Sequence, residues 1–389
     1  VDVWVWDQAG TRRLESDGRA LRVHVPGSLD CPHRIVSALA EQAGIDAAVL
    51  RVASGGAVEV ELLESSAPHP AGFRWRTRDR VPAVADRPPW QRPGWLRGVA
   101  AGVDGELARL GLTRTGALRQ VRHTTITGML RIPTERGGLW LKSGLPIFSH
   151  EGPVTRWLGG VAAGSVPTVL VCTADWWISA EFPAEAIAPR GDFLAVLADL
   201  QIRSIRHVAE LRALGCPDRP LGTLPVAVGL IADRSDLIGV DRARRLRALG
   251  PRLAALCEQV DALGVPPTLV HGDLNPENVR WVGDRWLLFD WTDSCITHPF
   301  IDLAVGLSGS TPPEATRRSI GYAEAWSAIV PQRHLDRLLR AAPALGAAHQ
   351  VANYQRILEG VEPTGGDRSC AAQLLGLLER WVDRLADVL

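Results

Sequence analysis

Residues 270–291 read VHGDLNPENVRWVGDRWLLFDW, and this stretch decides the fold. VRWV (279–282) and RWLLFD (285–290) are runs of β-branched and aromatic residues, and Gly283-Asp284 between them reads as a two-residue hairpin turn. A turn at those two residues sets Asn278 opposite Phe289, with Asp290 beside them at the open end. The loop bearing Asp273 enters at the same end, so two acids and an amide converge from one short segment. Such a trio suits phosphoryl transfer. Magnesium prefers hard oxygen ligands, usually one or two carboxylates plus substrate phosphates, and Asp290 and the amide oxygen of Asn278 supply them. Asp273 is then left to orient an acceptor hydroxyl and take its proton. The Asp273-to-Asn278 separation equals that of the protein-kinase loop H-R-D-x-x-x-x-N.

The wider segment strengthens that reading. HGDLNPENV (271–279), FDW (289–291) and HPFIDLA (298–304) resemble the aminoglycoside phosphotransferase/choline kinase superfamily, whose usual pattern is HGDxxxxN…xDW…P…DLA. The resemblance covers roughly residues 100–389 and is most specific over this stretch. It implies an α+β, protein-kinase-like two-lobed fold, with ATP and Mg2+ as cofactors. By position, Asp273 is the catalytic base, and Asn278 and Asp290 are the magnesium ligands. His271 takes the place of the family's structural histidine, and Asp302 that of its buried, loop-bracing aspartate.

The upstream half fits the same resemblance. Lysine occurs once in the chain, at Lys142, against forty-two arginines. A lysine kept where arginine has replaced all others invites a chemical reason, because a compact ammonium is not matched by a planar guanidinium. Lys142 stands in LWLKSG, the strand position where the family places its phosphate-binding lysine, and Glu151 opens the next helix, where the fold keeps that lysine's glutamate partner. Glu151 also reads as an acid favoured by a helix N-terminus. WWISAEF (176–182) would run into the interlobe hinge, which assigns the backbone from Ala180 to Phe182 to adenine. The chain departs from kinases in having no G-x-G-x-x-G. HTTITG (123–128) stands there instead, so Thr124, Thr125 and Thr127 are either phosphate contacts or ordinary strand formers. The catalytic loop carries Asn275 and Glu277 where relatives often have His and Gly. Glu277 either holds a cationic acceptor or faces solvent.

Around this centre the chain reads as three parts: an accessory α/β domain at 1–80, a β-rich N-lobe at 81–184, and a helical C-lobe at 185–389 with the catalytic loop and acceptor site. In the first part, 2–7, 20–25, 48–52 and 58–63 have strand character, with QAGTRR (8–13) as turn material. Residues 32–43 have helical spacing, and Gly44 is their stop. RPPWQRPGW (87–95) is an extended connector whose Trp90 and Trp95 pack on a neighbouring domain. A helix from about 96 leads to the strands GALRQVRH, GMLRIPT and LWLKSG, then to a helix over 150–164 and the strands VPTVLVCT and WWISAEF. Beyond 190 the pattern is helical, including one run over 194–215 and another over 240–264.

Composition bounds the remaining choices. With 46% hydrophobic and 22% charged residues, the chain sits in the ordinary globular range. Forty-three basic residues balance forty-three acidic ones, so no broad basic surface marks a nucleic-acid binder. The six cysteines are scattered without a CxxC pair and read as small buried hydrophobes of a reducing compartment. No apolar run is long enough for a membrane span, and the opening VDVWVWDQ lacks the character of a signal peptide. A cytoplasmic enzyme acting on a small-molecule hydroxyl, with no nucleic-acid or membrane partner, is the expectation.

The acceptor is less legible. Asp293 and Ser294 follow the metal aspartate and sit near the expected acceptor cleft. His349, Gln350, Asn353 and Tyr354 bring polar groups to one helix, where they either line that cleft or satisfy one another between helices. Zero net charge disfavours a polycationic aminoglycoside, whose binding calls for an acidic cleft. A neutral or singly charged hydroxyl compound, such as a sugar, amino sugar, nucleoside-like metabolite or other antibiotic, fits at least as well. Two other readings remain at this point: transfer of AMP in the same pocket, and a non-catalytic ATP-binding regulatory or scaffold protein. The sequence leaves the oligomeric state and the choice of ATP or GTP open.

Overall fold

The computed structural model describes residues 1–26, 29, 31–52, 56–63, 70–77, 87–182, 192–361 and 368–389. These divide into two compact units, one dominated by sheet and one by helix.

The first unit comprises 1–146, 170–181 and 359–373. Its opening sheet has β1 (Asp2–Trp6), β2 (Arg12–Glu15), β3 (Leu21–Arg22), β4 (Ala47–Val52), β5 (Val58–Leu62) and β6 (Arg74–Thr77), with α1 (Pro32–Ala43) between β3 and β4. The path runs β4-β5-β1-β2-β6, with β3 pairing β1, and β1 runs parallel to β5. Helix α1 ends at Gly44, whose φ of 64° lies in the left-handed region that glycine enters without steric cost. Its core, Val3, Val5, Ile35, Leu39, Val49, Val58 and Val60, alternates along strands as a half-buried sheet must. The expected turn over 8–13 is shorter than its composition suggests. Asp7 Oδ1 accepts from the amides of Thr11 and Arg12 at 2.8 and 3.1 Å and closes the turn early, so β2 begins at Arg12.

The second sheet contains β7 (Arg119–His123), β8 (Thr127–Thr134), β9 (Gly137–Gly144), β10 (Val169–Cys172) and β11 (Trp177–Ala180), in the order β10-β11-β9-β8-β7. Helix α2 (Trp95–Arg109) buries Leu96, Val99, Val103 and Leu107, which join the core containing Leu130, Ile132, Leu141 and Ile178. The segment before it is not extended: Pro89–Gln91 forms a 3-10 turn that tucks Trp90 inside. Trp90 is 1% exposed, and its indole N–H donates to Thr124 O at 2.7 Å. Gln120 of β7 replaces a strand along the edge of β4, accepting from Val49 N and donating to Val49 O, both at 2.8 Å. His123 hydrogen-bonds Leu50 O at 2.7 Å beside it. An edge that would otherwise expose unpaired backbone is thereby covered.

The second unit comprises 147–169, 182–358 and 374–389. It holds α3 (Glu151–Val161), α4 (Phe193–Ser204), α5 (Val208–Ala213), α6 (Leu224–Ala232), α7 (Ser235–Ile238), α8 (Val240–Asp261), α9 (Leu303–Gly306) and α10 (Pro312–Trp326). Most of α11 (Gln332–Val361) and α12 (Arg368–Val388) also lies here. The single helix expected over 194–215 is broken at Ile205–His207. Ser204 causes the break: its hydroxyl donates back to Gln201 O at 2.6 Å and accepts from Leu269 N at 2.9 Å. Such back-bonding bends a helix, and here it ties α4 to the strand that leads into the loop from His271.

That strand is β12 (Thr268–Val270), which pairs antiparallel with β15 (Cys295–Thr297). Between them lie the loop from His271 and the hairpin of β13 (Val279–Val282) and β14 (Arg285–Leu288), paired Val279 to Leu288 and Val282 to Arg285. This is the register expected from a turn at Gly283-Asp284. The chain thus leaves and re-enters a two-stranded clamp, and everything between is held at both ends.

Candidate active site

Three hydrogen-bond devices build the loop. Asp302 is 1% exposed, and its two carboxylate oxygens accept from the backbone amides of His271 (2.9 Å) and Gly272 (2.8 Å). Gln201 donates to the same carboxylate at 2.9 Å, and Tyr322 donates to Gln201 Oε1. Burial still outweighs these donors and pushes Asp302 up to about 6. Gly272 has φ +82°, and a Cβ there would sit 2.3 Å from Asp293 O, so only glycine fits. His271 forms the second device. Its Nδ1 accepts from Asp273 N at 3.3 Å, which leaves the proton on Nε2 to donate to Phe289 O at 3.0 Å. The neutral imidazole therefore ties the start of the loop to the residue just before Asp290.

Asparagines form the third device. Asn275 Oδ1 accepts from Glu277 N at 2.8 Å and shapes the turn Pro276–Asn278. Asn278 Nδ2 donates to Asp273 O at 2.8 Å and lies 3.4 Å from Asp273 Oδ2, so its amide oxygen is turned away from that carboxylate. Phe289 N donates to Asn278 O at 3.0 Å and closes the hairpin mouth where the sequence pairing placed it. Asp290 follows with φ 66°, one of two non-glycine residues with positive φ among those described. Aspartate tolerates that conformation better than most residues, and such strain persists only where surrounding structure fixes it.

Together these devices gather Asp273, Asp290 and Asp293. Burial pushes Asp273 up to about 8, and the charges of Asp293 and Asp290 add to the shift. Asp293 is raised too, by burial first and by Asp290 after it, despite a hydrogen bond with Asn353. Tyr354 on α11 is near enough to Asp273 and Asp293 for both to raise it further beyond what burial does. The repulsion of Asp273 by Asp293 and Asp290 is of the kind that a divalent cation at the hairpin mouth would relieve. Hard oxygens from Asp290 and Asn278 fit magnesium in its usual mode of few protein ligands plus phosphate oxygens. Among the described residues no cluster of three or more His, Cys, Asp or Glu could hold a metal by itself.

The other expected residues fall as follows. Ser294 is fully buried at the entry to β15, and Glu277 is exposed, donating its backbone N–H to Asn275. His349 is 2% exposed on α11. Glu151 is the first residue of α3 and is 2% exposed. The ring of Phe182 packs 5.2 Å from that of Phe289. In the first unit, Lys142 lies at the centre of the five-stranded sheet, across from Trp177 and Met129. Thr125 and Thr127 are buried there, and Ala180 ends β11. The Thr124 hydroxyl accepts from the amides of Ile126 and Thr127 and so forms the turn itself. Gly128 is there because a Cβ would sit 2.7 Å from the Trp90 ring.

Sequence reasoning missed Gln201, Tyr322, Arg219 and Arg356. None belongs to a motif, and only the fold brings them to the loop. Arg219 Nη1 and Arg356 Nη2 both reach Asn353 Oδ1, at 3.2 and 3.4 Å.

Fold and loop define a phosphotransferase with an alcohol group as acceptor. Residues 184–339 match a family model described as the phosphotransferase enzyme family. The fold is similar to that of the choline kinase LicA from Streptococcus pneumoniae, at TM-score 0.53 and 14% identity, over 75% of this chain and 99% of that one. It is also similar to a macrolide 2'-phosphotransferase type I, at TM-score 0.52 and 18% identity, over 72% and 97% of the two chains. No curated protein matches in sequence. The matched segment and this fold are similar to those of the aminoglycoside phosphotransferase/choline kinase superfamily. Among the described residues no helix is long and apolar enough to cross a membrane.

Proposed function

We propose that the protein is an ATP- and magnesium-dependent kinase that transfers the γ-phosphoryl group to a hydroxyl of a small molecule, in the class of sugars, amino sugars, antibiotics and related metabolites. One observation carries the reading: Asp273, Asp290 and Asp293 are gathered at the mouth of the hairpin, where burial first, and the charges of Asp293 and Asp290 after it, raise Asp273 to about 8. Such crowding is unfavourable in a purely structural loop and useful in a site that receives a divalent cation.

In this reading Asp290 and Asn278 hold magnesium, which when bound neutralises the phosphate oxygens and the charge that keeps Asp273 protonated. Asp273 accepts a hydrogen bond from the acceptor hydroxyl and orients its oxygen at the γ-phosphorus. As that oxygen bonds to phosphorus, the bond to the β,γ-bridging oxygen breaks, ADP departs and the hydroxyl proton passes to Asp273. Asp302 and His271 act through the loop and not on substrate, holding Asp273 and Asp290 in register. By sequence position, Lys142 and Glu151 take the roles of phosphate-binding cation and its counter-charge. Thr125 and Thr127 are assigned to the phosphates, and the backbone from Ala180 to Phe182 to adenine.

A nucleotide-consumption screen with ATP and GTP, across sugars, amino sugars and antibiotics in the presence of magnesium, tests the proposal. The expected product is heavier than the acceptor by one phosphoryl group. A product heavier by one AMP, or ATP binding without turnover on any acceptor, contradicts it.

A further inference from the structure

Beside the catalytic loop, within the same unit, lies a second polar cluster that transfer chemistry does not use. Arg219 follows α5 and Arg356 stands on α11, and their guanidinium groups meet at one atom, Asn353 Oδ1. Arg356 otherwise reaches only Ile147 O, at 3.4 Å, and lies over the Phe148 ring at 5.5 Å. Among the described residues neither arginine forms an ion pair with a carboxylate within 4.0 Å. Arg219 Nη2 and Arg356 Nε are buried and have no hydrogen-bond partner.

The surroundings add to the anomaly. His150 and His349 are each 2% exposed, feel both arginine charges, and have no partner at Nε2. Burial first, and then the two guanidinium charges, hold His150 down at about 4 and His349 at about 3, so both rings are neutral. Burial and the charge of Arg219 lower Arg356 to about 10. Buried donors without acceptors are expensive, about 1–3 kcal/mol each and more for charged groups, and two guanidinium groups sharing one amide oxygen leave most of their donors unused. The nearby carboxylate of Asp293 interacts with both guanidinium charges, but from beyond ion-pair distance, and leaves these donors unpaired.

We infer that Arg219 and Arg356, with His150 and His349 behind them, form an acceptor subsite for an oxyanion, so that the natural acceptor is an alcohol that also carries a carboxylate or phosphate group. The inference rests on the proposed kinase reading and narrows its substrate class. Proximity supports the assignment: Asp293, which raises Asp273, also feels Arg219 and Arg356. An acceptor anchored by its anion on these arginines is thus held a short way from the base. Arginine suits this role because its planar fork matches carboxylate and phosphate oxygens two at a time. The same pair of charges disfavours a polycationic acceptor.

The test compares matched acceptors: glucuronate and gluconate as carboxylates, glucose 6-phosphate as the phosphate, and glucose as the neutral reference. Transfer rates and calorimetric binding, with ADP and magnesium filling the nucleotide site, are measured for wild type, Arg219→Gln, Arg356→Gln and Arg356→Lys. The expected result is that an anionic acceptor binds and reacts at least about tenfold better than glucose. That preference collapses in both glutamine variants through a higher KM, and Arg356→Lys, which keeps the charge and loses the fork, recovers part of it. Equal use of anionic and neutral acceptors, or a preference unmoved by the substitutions, overturns the subsite and leaves the kinase reading standing. If no acceptor turns over, the kinase reading fails, and the binding arm still decides whether the arginines hold an anion. Urea unfolding of each variant separates loss of fold from loss of affinity.

Discussion

The catalytic loop and the arginine cluster are neighbours in one unit and are built on opposite rules. In the loop, buried polar groups are largely satisfied by the protein: Asp302 takes two amides and Gln201, and His271 spends both ring nitrogens. In the cluster, Arg219 Nη2, Arg356 Nε and the Nε2 atoms of His150 and His349 are buried without a partner among the described residues. A group that must hold a geometry is satisfied from within, and a group that must receive a ligand is left wanting. The contrast separates parts that position from parts that bind without reference to any relative.

The sharpest way to break the comparison is to remove a carboxylate that faces the ligand and not the loop. Asp290→Asn should lower kcat at least about a hundredfold, because it removes metal ligation and transition-state charge stabilisation together. Excess magnesium should restore part of the rate if ligation is what was lost. Lys142→Arg comes next, with an expected fall in kcat/KM of about tenfold or more. Near-wild-type turnover would remove the argument from the chain's lone lysine.

Asp302→Asn probes the satisfied side. The amide would turn a donor toward a niche already filled by three donors, at a cost of about 1–3 kcal/mol. The expected readout is a lower urea midpoint together with a fall in kcat, because the loop loses its brace. An unchanged midpoint would mean the brace is dispensable. The last effect is on pH dependence without magnesium. Asp273 is raised from 3.8 to about 8, so the folded state holds its proton more tightly than the unfolded chain does. Its contribution to stability is complete below pH 3.8 and is lost as pH climbs through about 8. The difference in unfolding free energy between wild type and Asp273→Asn should therefore move against the wild type from pH 5 to pH 8, by up to about 4 kcal/mol. A flat difference would contradict the crowding.

What the sequence revealed follows the same division. The hairpin register was legible because turn chemistry at Gly283-Asp284 and strand alternation are local, and the observed pairing of Val279 with Leu288 agrees. The three-residue strands β12 and β15 were not, since TLV and CIT are too short to show a period and exist because they clamp the loop. The turn at 8–13 was misjudged because the Asp7 side chain, not composition, decides where β2 begins. Gly128, the one glycine of HTTITG, is clearance for Trp90, a packing reason that no local pattern shows. Arg219 and Arg356 lay beyond sequence reasoning altogether. They are far apart in the chain and meet only because α11 delivers Asn353 between them.

The most direct test of the central claim is the Asp273→Asn variant, assayed for transfer and for ATP·Mg affinity on the same preparation. The account predicts that transfer falls about 10²–10⁴-fold while nucleotide affinity stays within a few-fold of wild type, because the base acts on the acceptor alone. Loss of both together, or turnover near wild type, would contradict it.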